Sequence, residues 1–572
     1  MIIPNHLKRY IVNQDYESYT YIDQATWRFI MKVSTNFFKK NADEIYFEGL
    51  KKTGITLNKI PKIESIDKKL SNFGWRAVCV RGFIPPNAFM EFQSLKILPI
   101  AADMRSHKNI TYTPSPDIAH EAAGHAPIIA NEDYSEYLIN YGEIASKAII
   151  SSEDLEVYYA IRNLSDIKEN VNAKKNEVEK ANLKLEKAIH STTYLSESAI
   201  LARMNWWTVE YGLIGEINNP KIYGAGLLSS VAESENCLKK EVKKIPFSID
   251  CINYDYDITE QQPQLFVTPN YKFLSKELKK LAKSMAFNIG GEYGLNIAKK
   301  AKTLCTVVLD DNIHISGKLK KYITNQKKQI IFISFNGPTQ IGINKKQLNN
   351  HGPDYHFEGY SSPLGNLKKF GKPISKLSNI ELKQSNIIKN KIIKLEFEGD
   401  IILSGKIMSI LKNNSKIIII TFENCTLKYR DKTLFEPEWG NFDLVCGSKV
   451  TSVYGGVCDS SKYFSKVPID NKKYEKLNLN NEKEIDFTLN NFFKKIKESS
   501  EPELNINELK KIYLDTNNKG INDWLLKFEF LQVTNCNLKI KWIKSIFDDL
   551  YNFSSKNNDL SRAIRRALNS FN

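Results

Sequence analysis

Two histidines and a carboxylate lie within six positions of the sequence. They belong to the stretch T-P-S-P-D-I-A-H-E-A-A-G-H-A-P, which runs from Thr113 to Pro127 and holds His120, Glu121 and His125. Only eight histidines occur in 572 residues, so two so close together need a reason. Imidazole and carboxylate groups are ligands of zinc and ferrous iron. The stretch is therefore either part of a metal site or the start of a helix with ordinary surface histidines, and a third ligand elsewhere would favour the metal.

The spacing of the two histidines bears on the kind of metal site. In the H-E-x-x-H motif of zinc hydrolases the histidines lie four residues apart and share a helix face. His120 and His125 are five apart, which on a regular α-helix separates their side chains by about 140°. Both could reach one metal only at a frayed first turn or at a π-type widening, which Gly124 would ease. A zinc peptidase stays an alternative, but this spacing disfavours it.

A third ligand is available in the stretch W-W-T-V-E-Y-G-L, from Trp206 to Leu213. Glu210 is flanked there by aromatic and β-branched residues, where an unpaired charge is costly to bury. A metal ion or a buried salt bridge would each resolve this conflict. Two imidazoles and one carboxylate that leave several positions open suit a non-haem Fe(II) centre that handles O2.

Three motifs in this order resemble those of a known family. They are P-D-x-x-H-E-x-x-G-H-x-P, W-x-T-V-E-[FY]-G-L and, at residues 222–230, I-Y-G-A-G-L-L-S-S. Together they resemble the pterin-dependent aromatic amino acid hydroxylases, most of all the bacterial members, over residues 1–300. The resemblance implies a mainly α catalytic domain and two cofactors, Fe(2+) and tetrahydrobiopterin or a related tetrahydropterin. It also implies hydroxylation of L-phenylalanine to L-tyrosine with O2, as in phenylalanine catabolism.

The resemblance also implies a role for individual residues. Iron would be held by His120, His125 and Glu210; the amino acid would be bound by Arg105, Thr113, Trp206 and Ser229; and the pterin would be positioned by Phe89 and Glu121. An arginine fork can hold a carboxylate through two parallel hydrogen bonds, and an aromatic plane suits the flat pterin, although Phe89 could equally be a core residue.

Two features of this motif region bear on the substrate and on the iron. In the family a tryptophan at the position of Trp206 goes with phenylalanine or tyrosine as substrate, whereas tryptophan hydroxylases have a smaller phenylalanine there. A tyrosine or tryptophan hydroxylase of the same family is therefore the first alternative. Asn205 stands where the family usually has a tyrosine near the iron, which puts the hydration of the metal in question.

Residues 151–200 depart from the family, which has a much shorter segment between the second histidine and the glutamate. Apolar residues recur there at near-heptad spacing between Lys, Glu and Asn. The pattern predicts a helical arm that packs within the chain or pairs with another subunit as a homo-oligomer.

Residues 301–465 are β-rich and contain an internal repeat. The run 309–319 recurs at 397–407, and the run 330–335 recurs at 417–422. The repeat predicts an all-β duplicated domain, a small barrel or sandwich. His351 and His356 raise the possibility of a second metal site, but no similar pair recurs in the second copy, so this pattern favours loop residues. Residues 466–572 read as a small α-helical C-terminal region, whose role could be oligomerisation or partner binding.

Composition limits the remaining classes of function. The chain has 42% apolar and 26% charged residues, as expected of a soluble globular protein. Because no apolar run is long enough to span a membrane and the N-terminus lacks a signal-peptide core, we expect a cytoplasmic protein without membrane contact. Most of the net charge of +16 lies after residue 300. It could attract nucleic acid or serve a non-catalytic scaffold, but no basic block is present, and solvated lysines are the simpler interpretation.

Overall fold

The computed structural model describes residues 3–111, 116–169, 173–257, 261–467, 486–501, 503–556 and 558–571. The α-helices are α1 Asn5–Lys8, α2 Tyr21–Asn41, α3 Ile45–Thr53, α4 Ile63–Leu70, α5 Pro86–Ser94, α6 Ala126–Ile129, α7 Glu132–Ala145, α8 Ser152–Glu169, α9 Lys175–His190, α10 Glu197–Asn205, α11 Ala225–Ser229, α12 Val231–Asn236, α13 Tyr271–Ala282, α14 Ala286–Ile289, α15 Gly291–Ala301, α16 Asn379–Gln384, α17 Ser460–Lys466, α18 Phe487–Ser500, α19 Ile506–Asn518, α20 Trp524–Val533, α21 Lys541–Phe553 and α22 Asp559–Asn569. Two π-helices span Ala119–His125 and Trp206–Glu210.

Two small sheets belong to the N-terminal half. β1 (Arg76–Val80) and β2 (Ile97–Ala101) form a parallel pair. The second sheet has the order β4-β3-β6-β5, built from β3 Leu213–Glu216, β4 Asn219–Ile222, β5 Lys243–Pro246 and β6 Gln264–Thr268. Both sheets are short, so the N-terminal half is mainly helical, as expected.

Two larger antiparallel sheets follow residue 303. The first, in the order β10-β9-β8-β7-β17 with β11 also paired to β9, uses β7 Leu304–Leu309, β8 Ile313–Thr324, β9 Ile330–Ile343, β10 Lys346–Gln347, β11 Gly359–Pro363 and β17 Val450–Gly455. The second, in the order β12-β13-β14-β15 with β16 also paired to β14, uses β12 Ile392–Phe397, β13 Ile401–Asn413, β14 Lys416–Tyr429, β15 Lys432–Phe435 and β16 Phe442–Val445.

Helix α2 is the longest helix of the N-terminal half and organises its core. Thr20 and Asp23 form a capping box at its start, each side chain accepting a hydrogen bond from the other's backbone N–H. Trp27, Phe29 and Ile30 point inward and are fully buried. Burying apolar surface of this size is the main stabilising contribution to such a helix.

The C-terminal helices share this core. Phe29 packs edge-to-face against Trp524 and Phe528 of α20, with ring centroids 4.9 and 4.8 Å apart. Arg28 of α2 forms an ion pair with Glu529, whose side chain is only 3% exposed. Helices α18 to α22 therefore complete the hydrophobic core of the N-terminal half.

The segment predicted to be a helical arm forms an antiparallel pair, α8 and α9. Ala160 and Leu164 of α8 pack on Ala181 and Leu185 of α9 in a small cluster separate from the main core. Leu183 stays 63% exposed, so part of the apolar pattern of α9 faces solvent. Across the described residues no helix combines the length and the apolar character needed to cross a membrane.

Candidate metal centre

His120 and His125 share one face because the helix that carries them is a π-helix. Its turns close through hydrogen bonds between residues five apart, which brings positions i and i+5 above one another. The histidine Nε2 atoms lie 3.2 Å apart. The widening that the five-residue spacing requires is therefore present, and Gly124 lies within it.

Gly124 is needed at this position because another segment approaches closely. A Cβ added there would lie 2.7 Å from the carbonyl oxygen of Ala225 in α11. We expect Gly124→Ala to displace α11 or the π-helix, lowering the melting temperature and the iron affinity together. A thermal melt and an iron titration test this. Normal values for both would contradict the required close approach.

A second π-helix, Trp206–Glu210, places the third candidate ligand. The backbone of Glu210 is covered by the glycine-rich loop before α11: a Cβ on Gly224 would lie 2.4 Å from the Glu210 carbonyl oxygen. Glu210 Oε2 lies 3.4 Å from His120 Nε2, and Glu210 Oε1 lies 3.4 Å from His125 Nε2. Residues 85 positions apart in the sequence thus converge at one point.

These separations fit a metal ion. Nitrogen and oxygen ligands lie about 2.0–2.2 Å from such an ion, so that neighbouring donors are about 3.0–3.5 Å apart. The three donor pairs, at 3.2, 3.4 and 3.4 Å, fall within that range. Glu210 and His120 keep 17% of their side-chain surface exposed, and His125 keeps 8%. The cluster is therefore sheltered but open on one side, as a site that admits small molecules requires.

The charges of the cluster favour cation binding. Burial lowers the pKa of His120 to about 4, so its imidazole is neutral and basic at neutral pH. Burial alone would raise the pKa of Glu210, but the neighbouring histidines outweigh it and lower that pKa to about 2. The pKa of His125 is raised to about 9, because the Glu210 carboxylate outweighs the effect of burial. A cation replacing the proton on His125 would satisfy all three groups.

Ser229 orients the first histidine. Its Oγ lies 2.8 Å from His120 Nδ1 and 2.8 Å from the Ala225 carbonyl oxygen. The hydroxyl has a single proton, which goes to the carbonyl, so Nδ1–H of His120 donates to Ser229. The lone pair of His120 is then on Nε2, which faces Glu210. Such an outer hydrogen bond fixes the tautomer and direction of a metal-binding imidazole.

Arg105 lies beside the cluster and is clamped by Asp117. Its Nε and Nη2 donate to the two Asp117 carboxylate oxygens at 2.7 Å each, and its Nη1 donates to the Ser229 carbonyl oxygen at 3.1 Å. Both side chains are almost fully buried. Asp117 Oδ1 also accepts from the His120 backbone N–H at 3.0 Å. The pKa of Asp117 is lowered, because Arg105 outweighs burial.

The role of Asp117 is not predicted from the sequence, although the residue is part of the quoted motif. A useful signal was its position two residues before the π-helix, where a carboxylate caps free N–H groups. Asp117 couples the direction of the Arg105 guanidinium to the start of the histidine helix.

Trp206 lies in a stack of three aromatic rings. Its ring centroid is 4.5 Å from that of Tyr211 and 4.5 Å from that of Tyr256. The Trp206 Nε1 and the Asn205 Oδ1 are buried and have no hydrogen-bond partner among the described residues. Tyr211 and Tyr256 hold Trp206 in place, a role the sequence did not reveal.

The remaining predicted site residues are Glu121, Phe89 and Thr113. Glu121 is buried: its Oε2 lies 4.0 Å from His125 Nε2, and burial raises its pKa to about 8. Phe89 lies half-buried on α5, whereas Phe92 on the same helix is fully buried. The prediction for Thr113 falls outside the described residues.

Fold and site together define a protein with a two-histidine, one-carboxylate centre inside a mainly helical domain. The model of the biopterin-dependent aromatic amino acid hydroxylase family matches residues 10–158 and 188–331, just over half of the chain. The chain belongs to this family, which confirms the expectation drawn from its motifs. The unmatched residues 159–187 lie within the α8–α9 pair.

Known relatives match a little under half of the chain. The phenylalanine-4-hydroxylase of Mesorhizobium japonicum is 26% identical over 269 residues, 46% of this chain and 81% of the relative. That of Chromobacterium violaceum is 28% identical over 264 residues, 46% of this chain and 74% of the relative. A crystal structure of Chromobacterium violaceum phenylalanine hydroxylase with bound oxidised Fe(III) covers 50% of this chain and 95% of its own, at 24% identity and a TM-score of 0.38.

Proposed function

We propose that this protein hydroxylates the ring of L-phenylalanine to give L-tyrosine, using O2 and a tetrahydropterin. The observation that carries the proposal is the convergence of His120 Nε2, His125 Nε2 and Glu210 on one point, 3.2–3.4 Å from one another. Membership of the hydroxylase family and similarity to proteins named phenylalanine-4-hydroxylase support it.

His120, His125 and Glu210 would hold Fe(2+). Bound iron supplies the activation of O2, and the reduced pterin supplies the two electrons that the amino acid does not. The protein itself orients the bound groups and shelters the site from water. Ser229 keeps the His120 lone pair directed at the cluster, while burial of the surrounding side chains limits the access of water.

Arg105 would bind the carboxylate of the amino acid. A guanidinium has five N–H donors, and Asp117 and the Ser229 carbonyl take three of them. The two that remain, one on each terminal nitrogen, would donate to the carboxylate of the amino acid. Ser229, whose carbonyl accepts from Arg105, would support the bound amino acid, and Thr113 is proposed for the same role from the resemblance alone.

Trp206 would limit the size of the ring that the site accepts. Its indole is fixed between Tyr211 and Tyr256, so it cannot move aside without breaking two stacked contacts. A second indole from tryptophan would need that volume. Phenylalanine or tyrosine is therefore the better-fitting substrate.

Phe89 and Glu121 would position the pterin. The half-buried Phe89 ring leaves part of its surface available for stacking on a flat bicyclic ring. Within the part of the chain that the structure describes, Glu121 Oε2 is buried without a hydrogen-bond partner, and the N–H groups of a pterin, directly or through water, would supply one.

Turnover by the purified full-length chain tests the proposed reaction. The protein is loaded anaerobically with ferrous iron and then given air, reduced pterin and one of three amino acids. We expect tyrosine from phenylalanine, with kcat/KM at least about tenfold above that for tryptophan, a difference of about 1.4 kcal/mol. Omitting the pterin is the control. Faster hydroxylation of tryptophan would reverse the assignment, and no hydroxylation of any of the three would favour a non-catalytic scaffold.

For the whole chain we propose three regions: residues 1–300 with the iron and pterin site, the duplicated β domain 301–465, and the helical region 466–572, whose helices α18 to α22 pack on the core of the first region. The duplication is supported by strands β7-β8-β9 and β12-β13-β14, which pair in the same order. The tight turn in each copy has positive φ at equivalent places, 60° and 55° at Asp311 and Asn312 against 92° and 63° at Gly399 and Asp400.

Self-association through the α8–α9 pair stays a prediction, which sedimentation analysis would check.

A further inference from the structure

A second group of two histidines and one carboxylate lies in the β region, outside the part of the chain that the family model matches. His351 Nδ1 lies 3.2 Å from His356 Nε2, and 4.0 Å from Asp443 Oδ2. All three donor atoms lie within 4.8 Å of one another. The sequence favoured loop residues for these histidines, because no similar pair recurs in the second copy. The carboxylate comes from a strand almost ninety positions further on.

Hydrogen bonds to strands of the two β sheets hold these three residues in place. The Ile341 N–H donates to the His351 carbonyl oxygen at 2.9 Å, and the Thr339 N–H donates to the His356 carbonyl oxygen at 3.0 Å, so the loop is fixed to β9. Asp443 lies in β16 opposite Thr421 of β14, whose hydroxyl donates to Asp443 Oδ1 at 2.7 Å. The donors are therefore preorganised by one strand of each sheet.

The group is buried and suited to a cation. The exposed fractions of His351, His356 and Asp443 are only 9, 7 and 4%. Burial, and then the neighbouring His351, lowers the pKa of His356 to about 3, and burial also lowers that of His351. Burial thus disfavours the protonated form of both imidazoles, and neutral imidazole is the form that binds metals. A buried carboxylate next to neutral rings is costly without a compensating positive charge.

The distances are close to those of a tetrahedral zinc site. Zinc lies about 2.0–2.1 Å from imidazole nitrogen and about 2.0–2.2 Å from carboxylate oxygen, so neighbouring donors are about 3.3 Å apart. The pair of nitrogens at 3.2 Å already meets this, and Asp443 Oδ2, which lies 4.0 Å from His351 Nδ1, would move closer on metal binding. The Tyr355 hydroxyl, which hydrogen bonds to Asp443, lies at the same group and could complete the set, as could water.

We propose that His351, His356 and Asp443 form a second metal site, which takes a divalent first-row transition ion, Zn2+ by the best match, and which links the two β sheets. The site has its histidines on the loop attached to the first sheet and its carboxylate on the second. Tyr360 of β11 strengthens the same junction, because its hydroxyl donates to the Asp443 carbonyl oxygen at 2.8 Å. A metal here would join the two copies of the repeat.

Zinc content per chain tests the proposal in the full-length protein. The chain is stripped with chelator, incubated with Zn2+, passed through a desalting column and measured by mass spectrometry. We expect two zinc ions per chain in the unaltered protein, because the catalytic donors also bind zinc. His125→Ala should leave one, Asp443→Asn should leave one, and the double variant should leave none.

Asp443→Asn is nearly isosteric and keeps the hydrogen bond from Thr421, so it removes a ligand with little change of packing. His314→Gln is the matched control. His314 is also buried in the first sheet, but its Nδ1 contacts Tyr454 Oη at 3.1 Å and it belongs to neither group. That variant should keep both zinc ions. Loss of a zinc ion in it would overturn the proposal, because binding would then depend on general packing of the sheet.

Cobalt provides a second test, because its visible absorption reports directly on the coordination of the bound ion. Co2+ added to His125→Ala should give the intense visible absorption of a four-coordinate ion, at one equivalent per chain. Asp443→Asn in that background should abolish it; if that double variant does not fold, His356→Gln takes its place. Two results would each overturn the second site and leave a hydrogen-bonded cluster. One is that the unaltered protein binds a single zinc ion, which His125→Ala removes completely. The other is that cobalt gives no such absorption in His125→Ala. Neither result bears on the hydroxylase proposal.

Discussion

Replacing Glu210 with glutamine should remove iron binding and reduce hydroxylation to background while the fold stays intact. Glutamine has nearly the same shape, so the contacts of the Glu210 backbone with the glycine-rich loop are unchanged. A neutral amide, however, is a poor ligand for Fe(II) and cannot balance the charge of the ion. We expect iron affinity to fall by more than about 100-fold, beyond the usual effect of losing an outer hydrogen-bond partner of a metal ligand.

The measurement is iron content after anaerobic loading, with circular dichroism and a thermal melt to show that the variant is folded. Glu121→Gln is the matched control, because the same chemical change is made at a buried glutamate whose Oε2 lies 4.0 Å from His125. It should keep its iron and mainly raise the KM for the pterin. Equal iron content in Glu210→Gln and the unaltered protein, with equal turnover, would remove Glu210 from the ligand set.

The part of this centre that the sequence predicts follows from local spacing. Two histidines five positions apart cannot share a face of a regular α-helix, so a metal site at that spacing requires a widened turn, and the glycine between them indicates where. The π-helix Ala119–His125 meets that requirement. Glu210, the proposed third ligand, was singled out because it is an acidic residue among apolar ones, a conflict that is visible in the sequence alone.

What the sequence does not predict depends on long-range packing. Asp117 binds Arg105 only because the chain folds back over twelve positions, and nothing in either residue type requires that pair. Helices α18 to α22 look like a separate region in the sequence, yet Trp524 and Phe528 complete the core around Phe29. The amphipathic pattern of α18, α19, α21 and α22 shows that each buries one face, and α20 is apolar on most of its surface, but neither pattern identifies the partner.

Changing Arg105 to lysine should raise the KM for phenylalanine by about 10–100-fold, which corresponds to one or two charge-assisted hydrogen bonds. Lysine keeps the positive charge but has no planar fork, so it cannot hold Asp117 with two bonds and offer two more N–H groups to a carboxylate. The KM for the pterin should change little. Steady-state kinetics with each substrate varied in turn measures both values.

Arg203→Lys is the matched control, because Arg203 is also partly buried and forms an ion pair, with Asp255, in the same half of the chain. It should leave the KM for phenylalanine unchanged. Because Asp117 also accepts the His120 N–H, a loosened Asp117 in Arg105→Lys should lower the iron affinity slightly as well. A normal KM for phenylalanine together with reduced iron affinity would mean that Arg105 only supports the histidine helix through Asp117, and that another group binds the carboxylate.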